Sequence, residues 1–190
     1  MKVRKLIFRL HSKTNLSNQE IIKNAITTHP GLRFHEIKKE TKLANGTLQH
    51  HLSHLTKSNE VTAKYLKKIP RYYAHDIEET NQVILLRLRQ QTTSKIIKSL
   101  LKNECQTFAQ MVKFTKKSPG TVSVYKNMLL KDNIVVGDTD GCSCTTNISN
   151  TKIKYRLAHP NDVRVLVEEY GKSSLQKSAD NLADIFLSLK

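Results

Sequence analysis

The sequence predicts a mainly α protein with small β-hairpin wings: two tandem winged helix-turn-helix domains plus C-terminal helices. Three observations predict it. The chain repeats itself at a fixed spacing, each copy holds two short helices joined by a tight turn, and each copy ends in a pair of strand-like segments. The expected organisation is a basic N-terminal segment (1–16), a first winged-helix domain (17–76), a linker helix (77–91), a second winged-helix domain (92–159) and a helical tail (160–190).

The repeat carries the argument. Phe34, Ile37 and Thr41 recur as Phe108, Met111 and Thr115, an offset of 74 residues. The same offset carries Gly46-Thr47-Leu48 onto Gly120-Thr121-Val122, Leu55 onto Leu129, Asn59 onto Asn133 and Val61 onto Val135. Ile21, Ile22, Ala25 and Ile26 match Ile96, Ile97, Leu100 and Leu101 at an offset of 75. Ala74-His75 matches Ala158-His159 at 84, so the second copy holds ten extra residues near its end.

The elements follow in order. Ser17 or Asn18 is suited to cap a first helix whose apolar face is Ile21, Ile22, Ala25 and Ile26. Pro30-Gly31 ends it. A second helix turns Phe34 and Ile37 inward, Leu43-Ala44-Asn45 makes the turn, and a third helix starting near Gly46-Thr47 buries Leu48, Leu52 and Leu55. Val61–Tyr65 and Arg71–Ala74 read as strands around a basic tip, Leu66-Lys67-Lys68-Ile69-Pro70. A linker helix is expected over Asn81–Gln91. The second copy predicts helices over Thr93–Lys102, Thr107–Lys116 and Pro119–Asp132, strands over Ile134–Thr139 and Lys152–Ala158, and a long wing, Asp140–Thr151. The tail predicts helices over Asn161–Tyr170 and Ser173–Leu189. In the last of these Leu175, Leu182, Ile185, Phe186 and Leu189 form an apolar stripe suited to a homodimer or to packing against the linker helix.

Charge narrows the partner. The formal net charge is +16 over 190 residues, which suits a polyanion. Residues 1–76 carry 15 Lys/Arg against 5 Asp/Glu, while residues 77–190 carry 17 against 11, so the first copy is the stronger electrostatic anchor. The longest apolar run near a possible span, Val83–Leu86, is far below the roughly 20 residues that cross a bilayer. The basic start lacks a long enough apolar stretch for a signal peptide, and no membrane partner is expected.

In a helix-turn-helix the third helix enters the major groove. With Leu48, Leu52 and Leu55 inward, the outward face holds Gly46, His50, Ser53, His54 and Lys57, flanked by Thr47 and Gln49, and Asn45 of the turn is a further candidate contact. Gln suits an adenine edge, and His and Ser donate or accept. Lys57 lies late on the helix and suits phosphate; Lys64, Lys67, Lys68 and Arg71 suit the backbone or minor groove from the wing. In the second copy the matching positions are Thr121, Ser123, Asn127 and Lys131, beside Gly120 and Val124.

Other chemistry finds little footing. No Gly-rich phosphate loop, paired acidic motif or nucleophile signature is readable, so no catalytic residue and no enzyme activity is expected. His50 and His54 lie one turn apart but have no third ligand nearby. Cys142-Ser143-Cys144, with Cys105 as a third sulfur, could suit a soft metal or a redox pair; without a completing His or Cys-x-x-Cys pair they are expected to be free thiols in a reducing compartment. No cofactor and no metal are expected.

Pro30-Gly31-Leu32-Arg33-Phe34-His35-Glu36-Ile37, Ala44-Asn45-Gly46-Thr47-Leu48-Gln49-His50-His51-Leu52 and Arg71-Tyr72-Tyr73 resemble archaeal winged-helix regulators related to the ArsR/MarR superfamily. So do Leu88-Arg89-Gln90-Gln91-Thr92, Ser118-Pro119-Gly120-Thr121-Val122-Ser123 and Lys154-Tyr155-Arg156-Leu157. The resemblance covers roughly residues 17–189. It implies two winged-helix copies, a helical tail and sequence-specific transcription control, often as a homodimer on double-stranded DNA. It carries over no effector, because the arsenical-type thiolate motif on a helix is absent. The ten added wing residues, with Asp138 and Asp140, depart from the compact pattern and make the second wing less basic. A nucleoid-associated cytoplasmic regulator is the leading expectation. A non-specific architectural DNA-binding protein and a winged-helix protein-interaction module remain the alternatives.

Overall fold

A computed structural model describes residues 16–66, 68–138 and 153–170. The first five elements are α1 (Asn18–Thr28), α2 (Phe34–Thr41), α3 (Asn45–Lys57), β1 (Val61–Leu66) and β2 (Ile69–Ala74). Ser17 caps α1. Its Oγ accepts from the Glu20 amide at 3.3 Å, and the Glu20 carboxylate accepts from the Ser17 amide at 2.7 Å, so two of the helix's orphan donors are satisfied reciprocally. Ile22, Ala25 and Ile26 are buried as expected. Gly31 then turns the chain at φ +80°, and a Cβ there would lie 3.0 Å from the Tyr73 hydroxyl oxygen, so backbone conformation and crowding both favour glycine.

Leu32 next bridges Tyr72, with the Tyr72 amide donating to the Leu32 carbonyl at 3.0 Å. The α2–α3 connection is Lys42-Leu43-Ala44, with Lys42 left-handed at φ 58°. β1 and β2 pair antiparallel out to Leu66↔Ile69, and Lys68 at the turn is left-handed at φ 69°. The strands therefore run closer to the tip than the sequence implied.

The order recurs. α4 (Glu79–Leu88) leads into α5 (Gln91–Lys102), β3 (Gln106–Thr107), α6 (Phe108–Thr115), α7 (Pro119–Lys131), β4 (Val135–Asp138) and β5 (Lys154–Leu157). A last helix, α8, covers residues 160–170. β3, β5 and β4 form an antiparallel sheet in which β3 on β5 repeats the single Leu32–Tyr72 bridge of the first copy. The repeat is also written in the backbone. Lys42 and Lys116, and Asn59 and Asn133, are all left-handed, at φ 58°, 53°, 59° and 54°. Asn tolerates this region better than most residues, which accounts for its place after the third helix of each copy.

One boundary moves. The sequence suggested one linker helix, Asn81–Gln91, with the next starting at Thr93; instead α4 starts at Glu79 and α5 at Gln91. The break is fixed by the buried Thr93 hydroxyl, which donates to the carbonyls of Arg87 and Gln90. Other ends shift by one or two residues, as fraying helix ends do.

Two cores result. The first is Ile22, Ile26, Leu32, Ile37, Leu48, Leu52, Leu55 and Val61. The second gathers Ile96, Ile97, Leu100, Met111, Val122, Leu129 and Val135, and adds Ile84, Leu85 and Leu88 of α4, Val163 and Leu166 of α8, and Tyr73 of β2. The apolar face of α4 is thus already partnered by the second core and α8. The partly buried Arg87–Asp132 ion pair, 2.5 Å, ties α4 to the end of α7. The segment 171–190, with its apolar stripe, and the wing segment 139–152 lie outside the described residues.

Candidate nucleic-acid interface

Helix α3 is oriented by its own burial. Leu48, Leu52 and Leu55 are 0%, 3% and 0% exposed, and this row leaves Asn45, Gly46, Gln49, His50, Ser53, His54 and Lys57 exposed on the other side. Thr47 is half-buried at the flank. The helix has 13 residues, so it is about 20 Å long and of a width that a major groove admits. A Cβ added at Gly46 would meet nothing within 4 Å, so this glycine leaves open space at the start of the helix. His50 stands edge-on to His51 at 5.3 Å, and the half-buried His51 has an unpartnered Nδ1.

Between α3 and the β1–β2 hairpin lies a cleft of about 270 Å³. Gln49, Ser53 and Lys57 line one side, Tyr65 and Tyr72 the other, and Phe34 at the start of α2 lines it too. Tyr65 is 70% exposed and Ile69 is 46% exposed. An exposed tyrosine beside a polar helix face was not singled out from the sequence. Strand parity points the other way, since Tyr65 falls on the same face of β1 as Ala63 and Val61, and Val61 is buried.

The wing cations divide. Lys68 is exposed at the hairpin turn, while Lys67 lies outside the described residues. Lys64 pairs with Glu79 of α4, so its charge is already matched within the fold. Arg71 departs from the expectation of an exposed cation on the wing. It is 7% exposed, and its Nη1 donates to the Gly31 carbonyl at 2.8 Å. The reason is strand parity: Arg71 and Tyr73 share the buried side of β2. Burial, reinforced by the nearby Arg33 charge, pushes the Arg71 guanidinium below the ordinary arginine range.

Arg71 does not act alone. Arg89, just after α4, donates from Nε to the Pro30 carbonyl at 2.9 Å and from Nη2 to the His29 carbonyl at 3.2 Å. Burial lowers the Arg89 pKa as well. Arg89 therefore reaches the C-cap carbonyl of α1, where the helix end favours a cation, and Arg71 holds the Gly31 carbonyl in the turn that follows. Sequence reasoning passed over Arg33 and Arg89, because no periodicity marks an arginine that reaches back some sixty residues.

The second copy presents a different face. On α7, Asn127 and Lys131 are exposed, while Ser123 and Thr121 are half-buried. Thr121 is engaged in the helix cap, with its amide donating to Ser118 Oγ and its hydroxyl 2.8 Å from it. Val124 is 61% exposed in the middle of the outward face, and Phe114 of α6 is 43% exposed. Lys126 folds back, 4.8 Å from the Tyr155 ring centre.

Among the described residues no group of three His, Cys, Asp or Glu is gathered as for a metal ion. Cys105 is disulfide-bonded, which departs from the expectation of free thiols; Cys142 and Cys144 lie outside the described residues. So do the proposed dimerisation residues Leu175, Leu182, Ile185, Phe186 and Leu189. No described helix is long and apolar enough to cross a membrane.

Residues 17–85 match a family described as an N-terminal HTH domain. The match runs from the Ser17 cap through α3 and the hairpin into α4. It supports a helix-turn-helix DNA-binding domain over this stretch, with DNA as the partner and α3 as its third helix. No curated protein matches the chain.

Proposed function

We propose that the protein is a sequence-specific, double-stranded-DNA-binding transcription regulator built from two tandem winged helix-turn-helix domains. On this reading α3 enters the major groove and reads bases through Gln49, His50 and Ser53, while Asn45, Gly46, Thr47, His54 and Lys57 lie on or beside the same face. Lys67 and Lys68 hold the backbone from the wing. The single observation that carries it is the exposed polar row of α3, set beside an open cleft and a cationic hairpin tip within the stretch matched to an HTH family. The experiment is a comparison of affinity for the protein's own promoter with that for random duplex at one stated salt concentration. A specific regulator gives a ratio of about 10³ or more, whereas an architectural protein gives a ratio near one.

The second copy, on this reading, supports the first rather than reading bases equally. Its α7 face, with Val124 exposed among Ser123, Asn127 and Lys131, favours a role in protein contact. A homodimer through the 173–189 stripe accords with a palindromic site whose half-sites lie about one turn or a multiple apart. Light scattering on the full chain, on a version ending at Tyr170 and on Leu182→Asp tests it. A full-length monomer at tens of micromolar, within the range of ordinary dimer affinities, overturns the dimer. The proposed location is the nucleoid.

A further inference from the structure

Arg33, Arg71 and Arg89 come from three separate places in the chain and meet beside the α1–α2 turn. Their charges act on one another: Arg33 and Arg89 both bear on Arg71, and Arg33 bears on Arg89. One carboxylate, Glu36, stands near them, and it already accepts the Arg33 amide at 2.7 Å as the return bond of the α2 cap. Among the described residues none of the three guanidiniums forms an ion pair. Arg71 and Arg89 spend part of their donors on the carbonyls of residues 29–31. The remainder is incomplete, because the Nε–H groups of Arg33 and Arg71 are both buried without an acceptor.

A buried charged donor with no partner costs free energy that a fold does not ordinarily leave uncompensated. Here there are two, on adjacent like charges, and Arg71 is only 7% exposed. A planar guanidinium fork matches the spacing of oxygens on phosphate or carboxylate. The α2 N-terminus adds the positive end of its dipole, because Arg33 is its N-cap.

We infer that Arg33 and Arg71, backed by Arg89, form an oxyanion site in which a phosphate group supplies the missing acceptor to both Nε–H groups. The phosphate has two possible sources. One is a free anion or phosphorylated small molecule, which would act as an effector at the join between α4 and the first copy. The other is a backbone phosphate of bound DNA, since Phe34, next to Arg33, lines the cleft beside α3. The site itself does not rest on the DNA-binding reading, and its first test needs no DNA.

The test is calorimetric titration of the full-length protein with inorganic phosphate, ionic strength being held constant with chloride. Saturable binding with a dissociation constant of about 1 mM or tighter is expected. Arg33→Gln, chosen because Arg33 is half-buried and its side chain bonds no backbone carbonyl, should weaken it at least about tenfold with the circular dichroism spectrum unchanged. A second arm measures duplex affinity in phosphate and in chloride at equal ionic strength. If the source is DNA, phosphate competes beyond chloride and R33Q weakens duplex binding. If the source is a free anion, R33Q loses phosphate binding while duplex affinity in chloride stays at the wild-type value. Phosphate that fails to bind wild type saturably, or that binds R33Q equally well, overturns the site whatever the duplex does.

Discussion

The two copies share a backbone plan and differ in what they offer to solvent. α3 and α7 both have 13 residues, both follow a left-handed lysine and both precede a left-handed asparagine. Yet α3 exposes Gln49, His50, Ser53 and His54, whereas the centre of the α7 face is Val124. Their interiors differ in the opposite sense. The first core is confined to its own elements, while the second draws in α4, α8 and Tyr73 of the first hairpin. A repeat therefore separates two demands: one copy keeps a polar surface on a small core, and the other has the larger core and a plainer surface.

The strongest way to probe this is at matched core positions. Leu55 and Leu129 are equivalent in the repeat, and both are 0% exposed. Each Leu→Ala change should cost about 2–5 kcal/mol, read from urea denaturation. Leu129→Ala should perturb the α4–α5 region as well, because that region shares its core. If Leu55→Ala alone broadens or splits the transition, the two cores unfold separately; a single shared loss in both variants shows that Tyr73 and α4 couple them.

Charge reversal of the wing comes next. Lys67→Glu with Lys68→Glu should weaken binding to all duplexes roughly thirty-fold at physiological salt and flatten the salt dependence, since each phosphate contact contributes about 0.9 to the slope. Reversing Lys131 in the second copy should do much less. Equal losses from the two copies would erase the division of labour. An unchanged slope in the wing variant would remove the hairpin tip from the phosphate contacts.

Base readout is the third comparison. Gln49→Ala or His50→Ala should change sequence preference by about 1–3 kcal/mol at one base position. Ser123→Ala or Asn127→Ala should leave preference as it is. A competition assay across a library of single-base operator variants reads both. Uniform weakening with Gln49→Ala would place that residue on the backbone instead.

Legibility followed the physics of each feature. The buried rows of α1, α3 and α5 were readable because apolar spacing is set by the same burial that holds the helix. The exposed row of α3 followed from Leu48, Leu52 and Leu55 by geometry alone. That two helices meet here was readable, but the exact place of the α4–α5 break was not, because it depends on one hydroxyl, that of Thr93, reaching the Arg87 carbonyl. Arg71 was misjudged for a different reason. Its residue type and place in the hairpin suggested an exposed wing contact, whereas its parity with Tyr73 on β2 put it inside. The Arg33–Arg71–Arg89 cluster joins residues far apart in the chain, so only the fold assembles it.

The smallest expected effect concerns how the two third helices begin. Ala44 and Ser118 are equivalent N-caps with nearly the same backbone, φ −64° and ψ 150° against φ −59° and ψ 149°. Ser118 Oγ accepts from the Thr121 amide, while Ala44 makes no side-chain cap, so the α3 start lacks an acceptor that α7 has. Exchange of the two residues tests whether the difference is local. Ser118→Ala should lower stability by about 0.5–2 kcal/mol, and Ala44→Ser should raise it by a comparable or smaller amount, since the backbone at 44 already has the geometry a serine cap needs. Thermal melts of the two single variants and of the double variant check it, and the double variant should return close to wild type, because distant independent sites add. If Ala44→Ser destabilises, the uncapped α3 start is held by contacts that serine disrupts. The comparison then turns on packing at the turn rather than on the missing hydroxyl.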